Sequence, residues 1–214
     1  MRLLPAIALA LCALGSHADD RLKPALDAYA RGQFDSARAS FERLSRQGVL
    51  AADYNLAVMH LRGERRDASV VEAVRLMTRA AEGGFVTAMV GLGELYERGH
   101  SDLGPDLPLS VQWYRRGAEA GSLEAQLAVA TAHYLGRGAP LDRSLAARWY
   151  RLAAQAGDGG AMYLYASMRE SGDGIERDLA EARYWYAAAA RNGEIGAAEK
   201  ARAIDTQLAK PPGS

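Results

Sequence analysis

The feature that most constrains this chain is an internal period. Trp113, Trp149 and Trp185 stand 36 residues apart, and each is followed by a tyrosine, Tyr114, Tyr150 or Tyr186. Eight residues after each Trp comes Gly121, Gly157 or Gly193, and four residues further Ala125, Ala161 or Ala197. One unit earlier, Leu76, Gly84 and Ala88 take the same three places. A fixed period of this length is the mark of stacked supersecondary units, each burying its apolar face on the next. Every residue is therefore read first by its place in the unit.

The interval from Leu76 to Trp113 is 37, so one unit carries an extra residue. Gly63, Gly99, Gly136 and Gly172 each lie eleven residues past Ala52, Ala88, Ala125 and Ala161. From that Gly to the Trp place is 13 residues in three units and 14 in the unit starting at Ala88, which puts the insertion in GHSDLGPDLPLS. A loop absorbs one residue without rotating a helix face. Each unit reads as helix A, loop, helix B, tight turn. In helix A the apolar or small positions recur with a 3.6-residue period, as in Ala88, Leu92, Gly93, Leu95 and Tyr96. The loop Gly suits a left-handed helix end, and Ser69, Asp106, Asp142 and Asp178 suit the N-cap of helix B. Ser69 with Glu72, and Asp178 with Glu181, have capping-box spacing. The pairs Ala80-Ala81, Gly117-Ala118, Ala153-Ala154 and Ala189-Ala190 let a neighbouring helix approach while the aromatics fill the space beside them.

AMVGLGELYERG, LSVQWYRRGAEAG and AQLAVATAHYLGRGAPLDRSLAARWYRLAAQAG resemble Sel1-like repeats, the longer-looped relatives of tetratricopeptide repeats. Four units, assigned to residues 50–193, carry the resemblance. Ahead of them, YARGQFDSARASFERLSRQG is similar to a tetratricopeptide hairpin, assigned to residues 19–49, and its Phe41 and Gly48 keep the phase of Met77 and Gly84. Behind them, residues 194–214 supply a capping helix and a tail that is expected to fray. The resemblance implies an all-α fold, an α/α solenoid or superhelix of helical hairpins.

The first 18 residues are expected to be a signal peptide, with cationic Arg2, an apolar run from Leu3 to Leu14, and Ser16-His17-Ala18 as a small-x-small site cleaved after Ala18. The run is too short for a stable membrane anchor, so the mature chain is expected to have no integral span and to reside in the periplasm, or beyond it if secreted. Cys12 is the only cysteine and falls inside the leader. Thiol catalysis, disulfides and Cys-based zinc sites are then excluded from the mature chain. Lys and Arg number 26 against 26 Asp and Glu, so no net field gathers nucleic acid.

His60, Tyr96, His133 and Arg169 share one repeat position, which reads as a packing site with a polar tip rather than as a metal or acid–base site. GRGAPLD and GDGIERD lack the strand and lysine of a phosphate loop and the carboxylate ladder of an EF-hand. Glu97 and Glu170 are two repeats apart, so they read as solvated helix faces rather than paired acids. No catalytic motif is found, so an enzyme is not expected, nor are a metal or a cofactor. Some relatives of this repeat family are linked to β-lactam chemistry, but they carry a disulfide in each hairpin.

If the superhelix follows tetratricopeptide geometry, a concave groove is lined by positions two, six and nine past each starting Ala. These are Tyr54, Val58, Leu61, Val90, Glu94, Glu97, Leu127, Thr131, Tyr134, Tyr163, Ser167 and Glu170. Tyr54, Tyr134 and Tyr163 are the expected exposed aromatic anchors. The resemblance implies an adaptor or regulator that binds another protein, such as an envelope or sensor protein. The alternative is a structural subunit of an envelope assembly, for polysaccharide export or motility, and an enzyme acting on cell wall or β-lactams comes third.

Overall fold

The computed structural model describes residues 20–64, 66–101 and 103–209. The expected leader and the PPGS tail lie outside the described residues. The chain divides into two compact units, one ending at Asp106 and one starting at Leu107. Among the described residues every regular element is helical, and no helix is long and apolar enough to cross a membrane.

In the first unit a 3-10 turn at Asp20–Leu22 leads into α1 (Lys23–Ala30), followed by α2 (Phe34–Arg46), α3 (Leu50–Leu61), α4 (Val70–Glu82) and α5 (Val86–Arg98). Each helix packs on the next in sequence around a core that includes Phe41, Val58, Met59, Met77 and Leu92, all fully buried. The second unit holds α6 (Leu107–Glu119), α7 (Leu123–Leu135), α8 (Arg143–Gln155), α9 (Gly159–Ser171), α10 (Leu179–Arg191) and α11 (Ala197–Leu208). Its helices are packed in the same serial order, with Val129, Tyr186 and Ile204 fully buried. The tyrosine of each Trp-Tyr pair, Tyr114, Tyr150 or Tyr186, is the buried member, and the tryptophan beside it is half-buried.

The small pair in helix B has a second use. The amide of Gly84 donates to the carbonyl of Ala81 and that of Phe85 to Ala80. Gly121 and Ser122 bond Ala118 and Gly117 in the same way, as do Gly157 and Asp158 with Ala154 and Ala153, and Gly193 and Glu194 with Ala190 and Ala189. This double bond pattern closes a helix through a left-handed residue, and the turn glycines have φ of 95, 90, 100 and 87°. After Gly84, Gly121 and Gly157 the next A helix starts two residues later, so the repeat length is set by hydrogen bonds as well as by packing.

The B helices α4, α8 and α10 are capped as their sequence implies. Ser69 accepts from the Glu72 amide at 3.3 Å, Asp142 from Leu145 at 2.9 Å and Asp178 from Glu181 at 2.9 Å. The reciprocal half of the capping box is not made. The Ser69 amide donates instead to His60 Nδ1 at 3.2 Å, and the Asp178 amide to the Arg169 carbonyl at 2.9 Å. The inserted residue is taken up between α5 and α6, where residues 99–106 replace the seven of 136–142 and 172–178, and His100 and Leu103 exchange two backbone hydrogen bonds of 2.8 Å.

Candidate partner-binding surface

In two hairpins of the second unit a buried tyrosine of helix B holds polar and aromatic side chains of helix A. In the hairpin α7–α8, the buried Tyr150 shares a 3.1 Å hydrogen bond with Thr131 and packs edge-on against Tyr134, with centroids 6.4 Å apart. The Tyr134 hydroxyl donates to Asp173 at 3.3 Å, and Arg143 donates to the same carboxylate at 2.6 Å with its guanidinium 5.2 Å from the Tyr134 ring. In the hairpin α9–α10, Tyr186 donates to Glu170 at 2.8 Å and packs edge-on against Tyr163 at 5.0 Å. Lys200 of α11 pairs with Glu170 at 3.0 Å and lies 5.8 Å from the Tyr186 ring.

Burial pushes the Tyr150 hydroxyl above its ordinary pKa, against a smaller lowering by Thr131. Burial and then the hydrogen bond to Glu170 push Tyr186 further up. Both phenols therefore remain protonated through the physiological range, and the network does not switch there. It fixes rotamers on the sixth and ninth positions of helix A, which is what a preorganised recognition face requires.

On α7 and α9 that face carries Leu127, Tyr134, Tyr163, Ser167 and Glu170, half-buried, with Thr131 exposed. Two leucines extend it, Leu135 and Leu164, 53% and 42% exposed. They follow Tyr134 and Tyr163 directly, and ten and three residues past the starting Ala they fall on the same flank of the helix. Positions three and ten of helix A lie outside both the apolar period and the lining positions read from the sequence, so these leucines were not among the expected anchors.

The first unit departs from expectation. Tyr54, Val58, Leu61 and Val90 are buried, so Tyr54 is not an exposed anchor and these four do not line an open surface. α3 is buried at every residue from Ala52 to Leu61. The Tyr54 ring lies 5.6 Å from Phe85, and a Cβ on Gly91 would come within 3.3 Å of its Cε2, so the absence of a side chain at Gly91 makes the seat for the ring. Glu94 is half-buried and Glu97 exposed on α5. Asp53, 1% exposed, is held by Arg79, whose Nε donates to one carboxylate oxygen at 2.7 Å and whose Nη2 donates to the other.

The shared position of His60, His133 and Arg169 latches the loop. His133 Nδ1 bonds the Pro140 carbonyl at 3.0 Å, and Arg169 donates to the Glu176 carbonyl at 2.9 Å. With the His60–Ser69 bond, two histidines and an arginine at this position each hold the segment that leads into helix B. Among the described residues, no group of three or more His, Cys, Asp or Glu side chains is placed to hold a metal ion.

Comparison with known proteins agrees with this geometry. The profile of the Sel1 repeat matches residues 50–85, 86–122, 123–158 and 160–194. The structure is similar to that of a Sel1 repeat protein from Oxalobacter formigenes, with a TM-score of 0.66 and 28% identity over 83% of this chain and 74% of that one. It is also similar to a protective antigen of uropathogenic Escherichia coli that displays an SLR fold, 22% identical with a TM-score of 0.48, over 88% of this chain and 49% of the antigen. No curated protein matches the sequence.

Proposed function

Because the chain belongs to the Sel1 repeat family, whose stacked hairpins are interaction scaffolds, we propose that it is an exported adaptor or regulator that binds another protein on the α7 and α9 face. The observation that carries this reading is the pair of tyrosine-centred networks in the second unit. In both, a buried tyrosine of helix B reaches the sixth or ninth position of helix A and holds it, while Thr131, Tyr163, Leu135 and Leu164 stay accessible beside it. Interface hot spots are enriched in tyrosine, and leucines beside it add apolar area that excludes water.

Export rests on the leader-like residues 1–18, and the only cysteine falls inside that leader. The periplasm is the proposed compartment, with an envelope or sensor protein as the class of partner.

The test is a crosslinked affinity capture from native periplasm with the wild type, a Tyr163→Ala/Leu164→Asp variant, and a Leu152→Asp control on α8, where Leu152 is 42% exposed. Folding of all three is checked by circular dichroism. The proposal requires one protein enriched by wild type and control and lost by the folded face variant. Equal enrichment by the face variant, or loss with the control alone, overturns the assignment of the face. Absence of any enriched protein overturns the adaptor reading.

A further inference from the structure

In the second unit each A-to-B loop is seated on the N-terminus of the preceding B helix. A Cβ on Gly138 would lie 2.8 Å from the carbonyl carbon of Leu107, and one on Gly174 would lie 2.5 Å from that of Arg143. Leu107 and Arg143 are the first residues of α6 and α8, and the two glycines, with φ of 73 and 74°, stand two residues past Gly136 and Gly172. The residue two past Gly99 is Ser101, also left-handed at φ 46°, and the matching helix start is Val70 of α4. Here Ser101 and Val70 stand in the walls of a cleft of about 510 Å³, together with Val71, Val74, Tyr96 and Leu103. Val71 is 81% exposed, at a place where the other Sel1 units have Pro108, Ser144 and Ala180.

A second irregularity lies at the other end of the repeats. The A helices α3, α5, α7 and α9 begin two residues past the turn glycine, but α11 begins four past Gly193 because Gly196 turns the chain at φ 81°. Ile195 is left 95% exposed on that turn, whereas Val86 and Leu123 at the same place are half-buried. Glu194 beside it has no ion-pair partner among the described residues, and neither does Arg66 on the loop that leads into α4.

We propose that the cleft on α4 receives the Gly193–Gly196 turn of a second copy of this chain. Ile195 enters between Val71, Val74 and Leu103, and Glu194 faces Arg66. The chain itself shows what fills such a place, since both filled examples hold a glycine-bearing turn against the first residue of a B helix. The apolar walls match the bare isoleucine, and the unpaired charges are opposite in sign. Cleft and turn are different surfaces, so the contact is heterologous and joins copies head to tail.

The experiment is sedimentation velocity over a wide concentration range, on protein purified from cells expressing the full chain. The wild type should form species heavier than a monomer that grow with concentration. Val71→Asp and Ile195→Asp, both at exposed positions and each checked for fold by circular dichroism, should each remain monomeric. Mixed in equal amounts they should give a dimer and nothing larger, because one variant keeps the turn and the other keeps the cleft. A wild type monomeric at every concentration, single variants that still associate, or a mixture that stays monomeric would each overturn the proposal.

Discussion

At the scale of single residues, glycines with similar dihedrals are required for different reasons. Gly157, at φ 100°, has nothing within 4 Å of where a Cβ would stand, while Gly174, at φ 74°, would place one 2.5 Å from the backbone of Arg143. Gly157→Ala should therefore cost only the left-handed penalty of about 1–2 kcal/mol. Gly174→Ala should cost that plus about 1–3 kcal/mol of overpacking, because the neighbour is backbone and cannot swing away. Urea unfolding of the two variants measures the difference, and equal midpoints would contradict the seating of the loop. Tyr29 supplies a pH-dependent test. Its hydroxyl donates to Glu64 at 2.6 and 2.7 Å and accepts from Arg62 at 2.8 Å, and burial followed by the Glu64 bond pushes its pKa up to about 12. The unfolded phenol titrates near 10, so the stability it contributes is complete below about pH 10 and lost as pH rises toward the folded value. Tyr29→Phe should lower stability at neutral pH by about 1–2 kcal/mol and flatten the loss between those two limits. An alkaline titration followed by phenolate absorbance and circular dichroism checks both.

At the scale of helices, the caps make a repeated and measurable contribution. Asp142→Ala and Asp178→Ala should each cost about 1 kcal/mol, read from denaturant midpoints, since each carboxylate satisfies an amide that the helix cannot. The B-helix caps were legible in the sequence because the period aligned Ser69, Asp142 and Asp178 in front of apolar runs. Ser122 and Asp158, which cap α7 and α9 by accepting from Ala125 at 3.3 Å and Ala161 at 2.6 Å, were not. They follow the turn glycine directly, in a segment that the repeat pattern reads only as a tight turn. The missing half of the capping boxes was beyond reach for a different reason, since it depends on His60 and Arg169 reaching across nine residues. The place of the inserted residue was legible. What it does was not, because seating of Gly138 and Gly174 on another hairpin leaves no trace in local spacing.

At the scale of the whole chain, the period carried the fold class, and the hairpins, the family match and the structural likeness all follow it. The surface was only half legible. Positions two, six and nine of helix A were read as one continuous lining, but Tyr54, Val58, Leu61 and Val90 are buried while Thr131 is exposed and Tyr134 and Tyr163 are half-buried. Periodicity says which residues share a helix face, and only the neighbouring elements decide whether that face meets protein or solvent. The central claim is that the exposed α7 and α9 face meets a protein partner after export. The most direct measurement is in-cell photocrosslinking, with a benzophenone amino acid placed at Leu164 on this face or at Leu152 on α8. The account predicts one discrete crosslinked band from Leu164, found in the periplasmic fraction, and none from Leu152. A band from Leu152 alone, or no band from either position, would contradict it.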